Sequence, residues 1–187
     1  MVESAASLIA HRGVNATSFS EVVADSGAPR GSIYHHFPDG KRELTESAIR
    51  WTSEQMLAYL HQAPIGSPSD VLRHFIGIWR AVVLRSGGAA GCAVAGVAVD
   101  TVDDASLLAE IRSTFRSWVE TLATQLEVSG IPTDRARSIA TTALATMEGA
   151  LILCRAEGST DPLELAADEL GRLLPADPPR SSRGSGR

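Results

Sequence analysis

One short stretch of this chain combines side chains that can read and hold a DNA groove. Arg30 can form two parallel hydrogen bonds with guanine, and the hydroxyls of Ser32 and Tyr34 can donate to phosphate oxygens. Ile33 and Phe37 lie four residues apart, so both can pack inward from one face of a helix. This spacing predicts a short recognition helix whose polar side chains point outward.

A second short helix is predicted immediately before it. Ser18 and Glu21 have the spacing of a capping box, in which each side chain satisfies a free backbone N–H at the start of a helix. Gly27 can adopt the positive φ that ends a helix, and Pro29 suits the first turn of the next one. Helix, tight glycine turn and helix together form a helix-turn-helix pattern.

The predicted DNA contacts extend on both sides of the recognition helix. Lys41 begins the next helix, where it can contact a phosphate. His35 and His36 are adjacent, so on a helix they diverge by about 100° and cannot chelate one metal as an i, i+4 pair would. We therefore predict DNA contact there, with no metal site and no cofactor. The predicted DNA-binding residues are Thr17, Ser18, Pro29, Arg30, Gly31, Ser32, Tyr34, His35, His36 and Lys41.

The charge balance is the main argument against a nucleic-acid partner. The chain has 187 residues and a formal net charge of −5, and its first 50 residues hold five Lys/Arg against six Asp/Glu. A DNA-binding domain normally has a basic footprint. Net charge is not local charge, however. We expect Arg30, Lys41 and Arg42 to face DNA while the acids face away.

Apolar residues at helical spacing continue to residue 174, and no alternating β-branched run predicts a strand. The fold class is therefore all-α, with a three-helix helix-turn-helix head and a helical-bundle body. A linking helix is expected at 41–62, a buried short helix at 92–99 and a disordered tail at 175–187. Four further helix starts are predicted in the body. The first is capped by Ser67 or Ser69, and the second has Asp103 and Asp104 in its first turn. The third begins at Thr133 or Asp134, and the fourth has a capping box of Asp161 and Glu164.

Two sets of residues resemble a known family. The head has T-S-F-x-x-V from Thr17, S-G-x-x-x-G-S-I-Y-x-H-F from Ser26 and K-x-x-L from Lys41, and it resembles the TetR family of one-component repressors. In the body, residues 37–41, 91–99 and 148–151 resemble the branch related to lincomycin-resistance repressors. Ala93 departs from that branch, which often has proline there.

The resemblance implies an all-helical homodimer whose last two helices form a four-helix interface. It also implies an effector cavity in each body and, at the family level, a large hydrophobic effector. Members usually carry a basic arm before the first helix, whereas here Met1 is expected to fall within that helix. A misassigned start or a lost arm would explain this, and phosphate affinity would then be weaker than in relatives.

Small residues offer separate support for a dimer, because they let helix backbones approach closely. A symmetric partner would also place two recognition helices on successive major grooves of a palindromic site, about 34–36 Å apart. The alternative is that these residues pack only within one protomer. They are Ala140, Ala143, Ala145, Gly149 and Ala150.

Apolar residues of the body are candidates for the lining of the cavity, although each could equally belong to a filled core. Arg80, Thr114, Thr142, Thr146 and Glu148 lie near them in the sequence pattern and could orient a ligand. Cys92 could sense oxidants if exposed, but a buried thiol is the favoured interpretation for both cysteines. The predicted pocket residues are Trp79, Val83, Cys92, Val94, Val97, Phe115, Trp118, Met147 and Leu151.

The sequence as a whole predicts a ligand-responsive transcriptional repressor that binds a palindromic operator as a dimer. The domains expected are a DNA-binding domain at 1–45 and a ligand-binding and dimerisation domain at 46–174. Two cysteines do not make a disulfide framework, and no membrane span or signal peptide is predicted, so a cytoplasmic, non-enzymatic protein is expected. Alternatives are an effector-independent activator or nucleoid-type binder, and a helical carrier or enzyme with a vestigial head. The operator, the effector, the regulated genes and the sign of regulation are not encoded in any motif.

Overall fold

The computed structural model describes residues 1–64, 66–101 and 103–175. Within these ranges the chain folds into nine α-helices and forms no strand, as the apolar spacing predicts. The head consists of α1 (Val2–Arg12), α2 (Phe19–Ser26) and α3 (Ser32–His36). The linking helix is α4 (Lys41–Leu60). The body contains α5 (Pro68–Ser86), α6 (Ala93–Asp100), α7 (Ala105–Val128), α8 (Thr133–Glu157) and α9 (Asp161–Arg172).

Local signals set several helix ends where the sequence places them. The Ser18 hydroxyl accepts from the Glu21 N–H and the Glu21 carboxylate accepts from the Ser18 N–H, so the predicted capping box is confirmed. Gly27 ends α2 at φ 68°, the left-handed conformation that glycine adopts without a steric cost. Of the two serines proposed to cap α5, Ser67 does so, in a second capping box with Asp70.

Three predicted helix starts are wrong in detail. Pro29 does not begin α3 but lies in the preceding turn, where its carbonyl accepts from the Ser32 N–H at 2.9 Å. Asp104 lies before α7 rather than in its first turn, and its carboxylate caps the helix through the Leu107 N–H at 3.0 Å. Asp161 and Glu164 form no capping box, because α9 begins at Asp161 itself and Thr160 is the residue before the helix, and the Glu164 carboxylate pairs with Arg80.

A single apolar cluster runs through the head and the body. Ile9 of α1, Val22 of α2 and Ile33 of α3 are buried together with apolar side chains of α4 to α9. α4 contacts α1, α5, α6 and α7, so the linking helix is packed along much of its length. The segment predicted as wholly buried is not, since Val99 of α6 is 81% exposed.

The helix α8 is long and apolar enough to cross a membrane by length and composition alone. It packs between α7 and α9, and Ile139, Met147 and Leu151 on one face are buried in the core. It is therefore a core helix of the body and does not indicate a membrane protein.

The small residues proposed for close helix approach divide between two environments. Ala140, Ala143 and Ala150 are buried within the protomer, as the intramolecular alternative predicts. Ala145 is exposed and Gly149 is half-buried. Three of the five residues therefore serve the packing of one chain and do not support a dimer.

The predicted disordered tail, 175–187, lies outside the described residues apart from Pro175.

Candidate DNA-binding surface and ligand cavity

The recognition helix α3 is anchored from below by two apolar side chains. Ile33 and Phe37 are 1% and 7% exposed, as their spacing predicts. Tyr34, the residue after Ile33, is 68% exposed, and its ring packs edge-on against that of Phe19 with the ring centroids 5.6 Å apart. The exposed imidazoles of His35 and His36 complete the outward face. The helix is thus held by its apolar face, and its polar face remains open to solvent.

Arg30 lies in the turn before α3 rather than in the first turn of the helix. The Pro29 carbonyl accepts from both the N–H and the hydroxyl of Ser32, the latter at 2.8 Å, so this turn is tied to the helix that follows. Arg30 is exposed and forms no ion pair in the part of the chain that the structure describes. Its guanidinium is available at the N-terminal end of the recognition helix, where base contacts are made in helix-turn-helix proteins.

Thr17 is a correction to the predicted DNA-contacting set. Its side chain is 5% exposed, and its hydroxyl donates to the Gly13 carbonyl at 2.9 Å. Ser18 is exposed, but its hydroxyl is engaged by Glu21 and Ser20. Both residues shape the entry into α2, and Thr17 has no group left to offer a phosphate.

Ion pairs engage some of the basic side chains of the head and leave others unpaired. Arg12 pairs with Glu21 at 2.8 Å, and Arg42 pairs with Glu46 at 3.0 Å and with Asp104 of the body at 3.4 Å. Acids on α4 and before α7 thus hold Arg42 at the junction with the body, although its side chain remains 55% exposed, and its contact with DNA stays a prediction.

Two cations of the head make no ion pair within the described ranges, Arg30 and Lys41. The Lys41 ammonium donates to the Asn15 carbonyl at 3.3 Å and is otherwise exposed. The other arginines of the head are paired with carboxylates, whereas these two positive charges are not. They give a formally acidic head a local positive charge that can attract phosphate.

A cavity of about 560 Å³ lies between the head and the body. Its volume is within the range of small-molecule sites, about 300–1,000 Å³. Space exists here because α1 and the segment before α6 contribute small side chains, among them Ala6, Ala10 and Ala90, next to Gly91. The larger lining side chains come from α4, α5 and α7 and include Trp51, Met56, Ile78, Trp79, Val82 and Trp118.

The structure brings three of the predicted pocket residues to this cavity, Trp79, Cys92 and Trp118. Phe115 lines a different, shallower groove between α7 and α8. The remaining predicted residues are buried in the core and do not line the cavity; they are Val83, Val94, Val97, Met147 and Leu151. Sequence reasoning missed the contribution of α1, since its apolar spacing is the same whether a helix faces a core or a cavity.

The end of α1 is joined to the body beside this cavity. Three hydrogen bonds connect backbone groups around the C-terminus of α1 with residues between 91 and 155. They are Gly91 N–H to Ala10 O at 2.8 Å, Arg155 Nη2 to His11 O at 2.9 Å, and Val14 N–H to Asp100 Oδ2 at 2.9 Å. The first head helix is therefore attached to the body directly, and not only through α4.

Two polar groups proposed to orient a ligand do not line this cavity, Arg80 and Glu148. Arg80 forms a two-point ion pair with Glu164 of α9, with Nε to Oε1 at 2.7 Å, and these hydrogen bonds hold the pKa of Glu164 below its usual range. Glu148 is largely buried beside Cys92, and burial raises the pKa of Glu148 to about 7. Burial also raises the pKa of the Cys92 thiol, with the nearby Glu148 carboxylate adding to the effect. A thiol of this kind is poorly reactive.

A helix-turn-helix head with an exposed recognition helix, joined to a helical body, defines a class of DNA-binding regulators. Comparison with known proteins gives the same class. The family of bacterial regulatory proteins called tetR matches residues 2–48, and the LmrA/YxaF-like C-terminal domain of transcriptional regulators matches residues 68–169.

Individual relatives are similar over nearly their full length. The HTH-type transcriptional regulator Rv0196 of Mycobacterium tuberculosis is 38% identical over 98% of this chain and 96% of its own. LmrA of Bacillus subtilis is 25% identical over 87% of this chain and 88% of its own. A TetR transcriptional regulator from Legionella pneumophila has the same fold, with a TM-score of 0.82 at 23% identity over 93% of this chain and 95% of that one.

The chain therefore belongs to the TetR family of DNA-binding transcriptional regulators, in the branch with an LmrA/YxaF-like C-terminal domain.

Proposed function

We propose that this protein is a ligand-responsive repressor, cytoplasmic and dimeric, that leaves a palindromic operator when a small hydrophobic effector binds. The observation that carries the proposal is the position of the cavity, which is lined both by α1 of the head and by α4, α5 and α7. A molecule bound there touches the DNA-binding head itself. We divide the chain into a DNA-binding domain at 1–45 and a ligand-binding and dimerisation domain at 46–174.

The proposed DNA contacts follow from the free polar groups around α3. Arg30 reads a base, because its guanidinium is exposed and unpaired at the N-terminal end of the recognition helix. Tyr34, the two histidines and Lys41 hold phosphates and set the register of the head on the duplex. Backbone groups of Pro29 and Gly31 lie in the exposed turn beside them.

The proposed dimer uses the outer faces of α8 and α9. Ile152 and Leu153 on α8 and Leu165 on α9 are 70%, 53% and 68% exposed. Large apolar side chains exposed on two helices that pack together favour a covered interface over a free surface. A two-fold dimer is the commonest symmetric assembly, and it pairs two heads for a palindromic site.

The proposed release mechanism begins at the junction between head and body. An effector in the cavity contacts Ala6 and Ala10 of α1 and Trp51 and Met56 of α4, the two helices that carry the head. Filling this space displaces α1 and α4 relative to the body and changes the separation of the two recognition helices. The coupling is reciprocal, so the operator weakens effector binding by the same factor.

The test is fluorescence-anisotropy binding to DNA flanking the gene of this protein, against scrambled DNA and across a salt series. The proposal expects specific, salt-sensitive binding with two subunits per palindrome. Arg30→Ala should relax the base preference, whereas Lys41→Ala should weaken binding to all sequences and lower the salt slope by about 1. The matched control is Arg116→Ala, which removes the same charge from an exposed site on α7.

Two results would contradict the proposal. Unchanged affinity and preference in Arg30→Ala would show that the turn before α3 does not read bases. The second result is weak binding that is equal for the flanking DNA and the scrambled DNA and that persists after upstream codons are added. It would show that the protein recognises no operator there, and it would favour a carrier function.

A further inference from the structure

Four arginines in the described ranges have a guanidinium without a hydrogen bond or an ion pair. The other nine arginines there donate to a carboxylate or to a backbone carbonyl. One of the four is Arg30 of the head. The remaining three are exposed and all line the groove between α7 and α8; they are Arg112, Arg116 and Arg137. In a chain of net charge −5, three unpaired cations therefore converge on one surface site.

The acids of the groove do not neutralise these arginines. Glu120 lies one turn beyond Arg116 on α7, and Glu148 lies on α8. Neither carboxylate forms an ion pair with an arginine among the described residues. Glu148 is largely buried, and burial raises its pKa to about 7, so it is only partly charged at neutral pH. The groove therefore keeps a net positive charge.

The side chains beneath the arginines are apolar. Phe115 and Val119 of α7 are half-buried, and Leu144 of α8 is buried. The groove has a volume of about 490 Å³, within the range of small-molecule sites, about 300–1,000 Å³. Guanidinium groups match carboxylates in shape and can bind both oxygens. An apolar floor with cations above it therefore fits a molecule that has an apolar body and a carboxylate.

A second copy of the chain fits the groove less well. In a two-fold dimer, the interface surface of one subunit meets the same surface of the other. A dimer centred on the groove would bring its arginines against their own counterparts, and like charges across an interface are unfavourable. The apolar patch assigned to the dimer lies elsewhere, at Ile152 and Leu153, beyond the groove residues of α8, and at Leu165 on α9.

We propose that the groove between α7 and α8 is a second ligand site, separate from the cavity between head and body, and that it binds an organic carboxylate with an apolar body. The apolar body lies on Phe115, Val119 and Leu144, and the carboxylate pairs with the guanidiniums above them. A bound anion also relieves the repulsion between Arg112 and Arg116, which lie four residues apart on α7.

The experiment compares two probes on the full chain, decanoate and decanamide, which share one apolar chain and differ in the charge of the head group. Equilibrium dialysis at about pH 8, where the carboxyl group is ionised, gives the two dissociation constants. At low salt the wild-type chain should prefer decanoate by about tenfold, as expected for a charge-assisted hydrogen-bonded pair. In about 0.5 M NaCl the preference should fall to about threefold, because salt screens exposed charges.

The double variant Arg112→Gln/Arg137→Gln removes one cation from each helix and should reduce the preference at low salt to about threefold or less. The matched control is Arg135→Gln, which removes the same charge from α8. The Arg135 guanidinium donates to the Leu173 carbonyl and does not line the groove, so this variant should keep the tenfold preference.

A third variant locates the site. Ala145 is exposed and lines the groove, so Ala145→Trp fills the groove from its open side. This variant should weaken the binding of both probes by about tenfold or more, whereas probes bound in the cavity between head and body would keep their affinity. Circular dichroism checks that every variant keeps its helices.

The proposal is overturned if the wild-type chain binds both probes equally or binds neither. A preference that survives in the double variant, or an affinity that survives in Ala145→Trp, also overturns it. Failure of both probes together with a changed monomer–dimer equilibrium of the double variant in sedimentation would show that a second copy covers the groove. Operator binding is measured without these probes, so failure here leaves the repressor function and its Arg116→Ala control unaffected.

Discussion

Replacement of Glu148 by glutamine should make the protein more stable at alkaline pH and change little in acid. The Glu148 carboxyl is largely buried beside the Cys92 thiol, and its Oε1 has no hydrogen-bond partner among the described residues. Burial raises its pKa from the ordinary value of 4.5 to about 7. The folded chain therefore holds this proton more tightly than the unfolded chain does.

The sign of the effect follows from that difference. Below about pH 4.5 the carboxyl is protonated in both states and contributes no pH dependence. As the pH rises from about 4.5 to about 7, the unfolded chain releases the proton first, and stability falls. In total the free energy of unfolding falls by about 3 kcal/mol, and about 2.5 kcal/mol of this decrease occurs between about pH 5 and about pH 8.5.

Glutamine has the shape of the protonated acid and does not titrate. Urea unfolding of wild type and Glu148→Gln at about pH 5 and about pH 8.5 should therefore show a stability difference that grows by about 2.5 kcal/mol in favour of the variant. Protein concentration must be the same throughout, because the proposed dimer would make the apparent stability depend on concentration.

The matched control is Glu120→Gln, which removes an exposed carboxylate from the groove that Glu148 also lines. Its effect should stay within about 0.5 kcal/mol, as for most surface substitutions. A stability difference for Glu148→Gln that is the same at both pH values would refute the reasoning, since the carboxylate would then carry no burial penalty.

Two further predictions concern the turn of the head and the thiols. Gly27→Ala places a Cβ on a residue at φ 68°, so we expect the free energy of unfolding to fall by about 1–2 kcal/mol and the Tm by about 3–6 °C. The control is Gly171→Ala, in which the new Cβ has no atom within 4 Å, and it should not lower the Tm. Thermal unfolding followed by circular dichroism measures both. Cys92 and Cys154 should react with a disulfide reagent at about pH 8 far more slowly in the native chain than in urea, because Cys154 is buried and burial raises the pKa of Cys92. Rapid labelling of Cys92 in the native protein, located by peptide mass mapping, would instead support a redox role for that thiol.

Several helix ends were predictable, because their signal lies within a few residues. The capping box of Ser18 and Glu21 spans three residues, and Gly27 ends the same helix through its own backbone freedom. Asp161 and Glu164 carry a similar pattern, but α9 begins at Asp161, so Asp161 lies inside the helix and does not cap it. The Glu164 carboxylate pairs instead with Arg80, 84 residues away along the chain, and no local pattern shows that contact.

The DNA-contacting residues were partly predictable for the same reason. Inward packing of Ile33 and Phe37 follows from their spacing alone, and the structure confirms it. The burial of Thr17 and the pairing of Arg42 with Asp104 depend on where other segments come to lie. The DNA contacts themselves stay predictions that the anisotropy assay tests.

The amino-acid sequence by itself determined the helical class, the helix-turn-helix head and the family, because these rest on apolar periodicity and on motifs within short windows. Only the tertiary structure decided which apolar residues line a cavity. It joined α1 to the body through Gly91 and Asp100, and it left Trp79 without an acceptor while Ser53 satisfied Trp118. Whether a buried side chain contacts another side chain or lines an empty space depends on residues far apart in sequence. No local sequence pattern specifies where those residues come to lie.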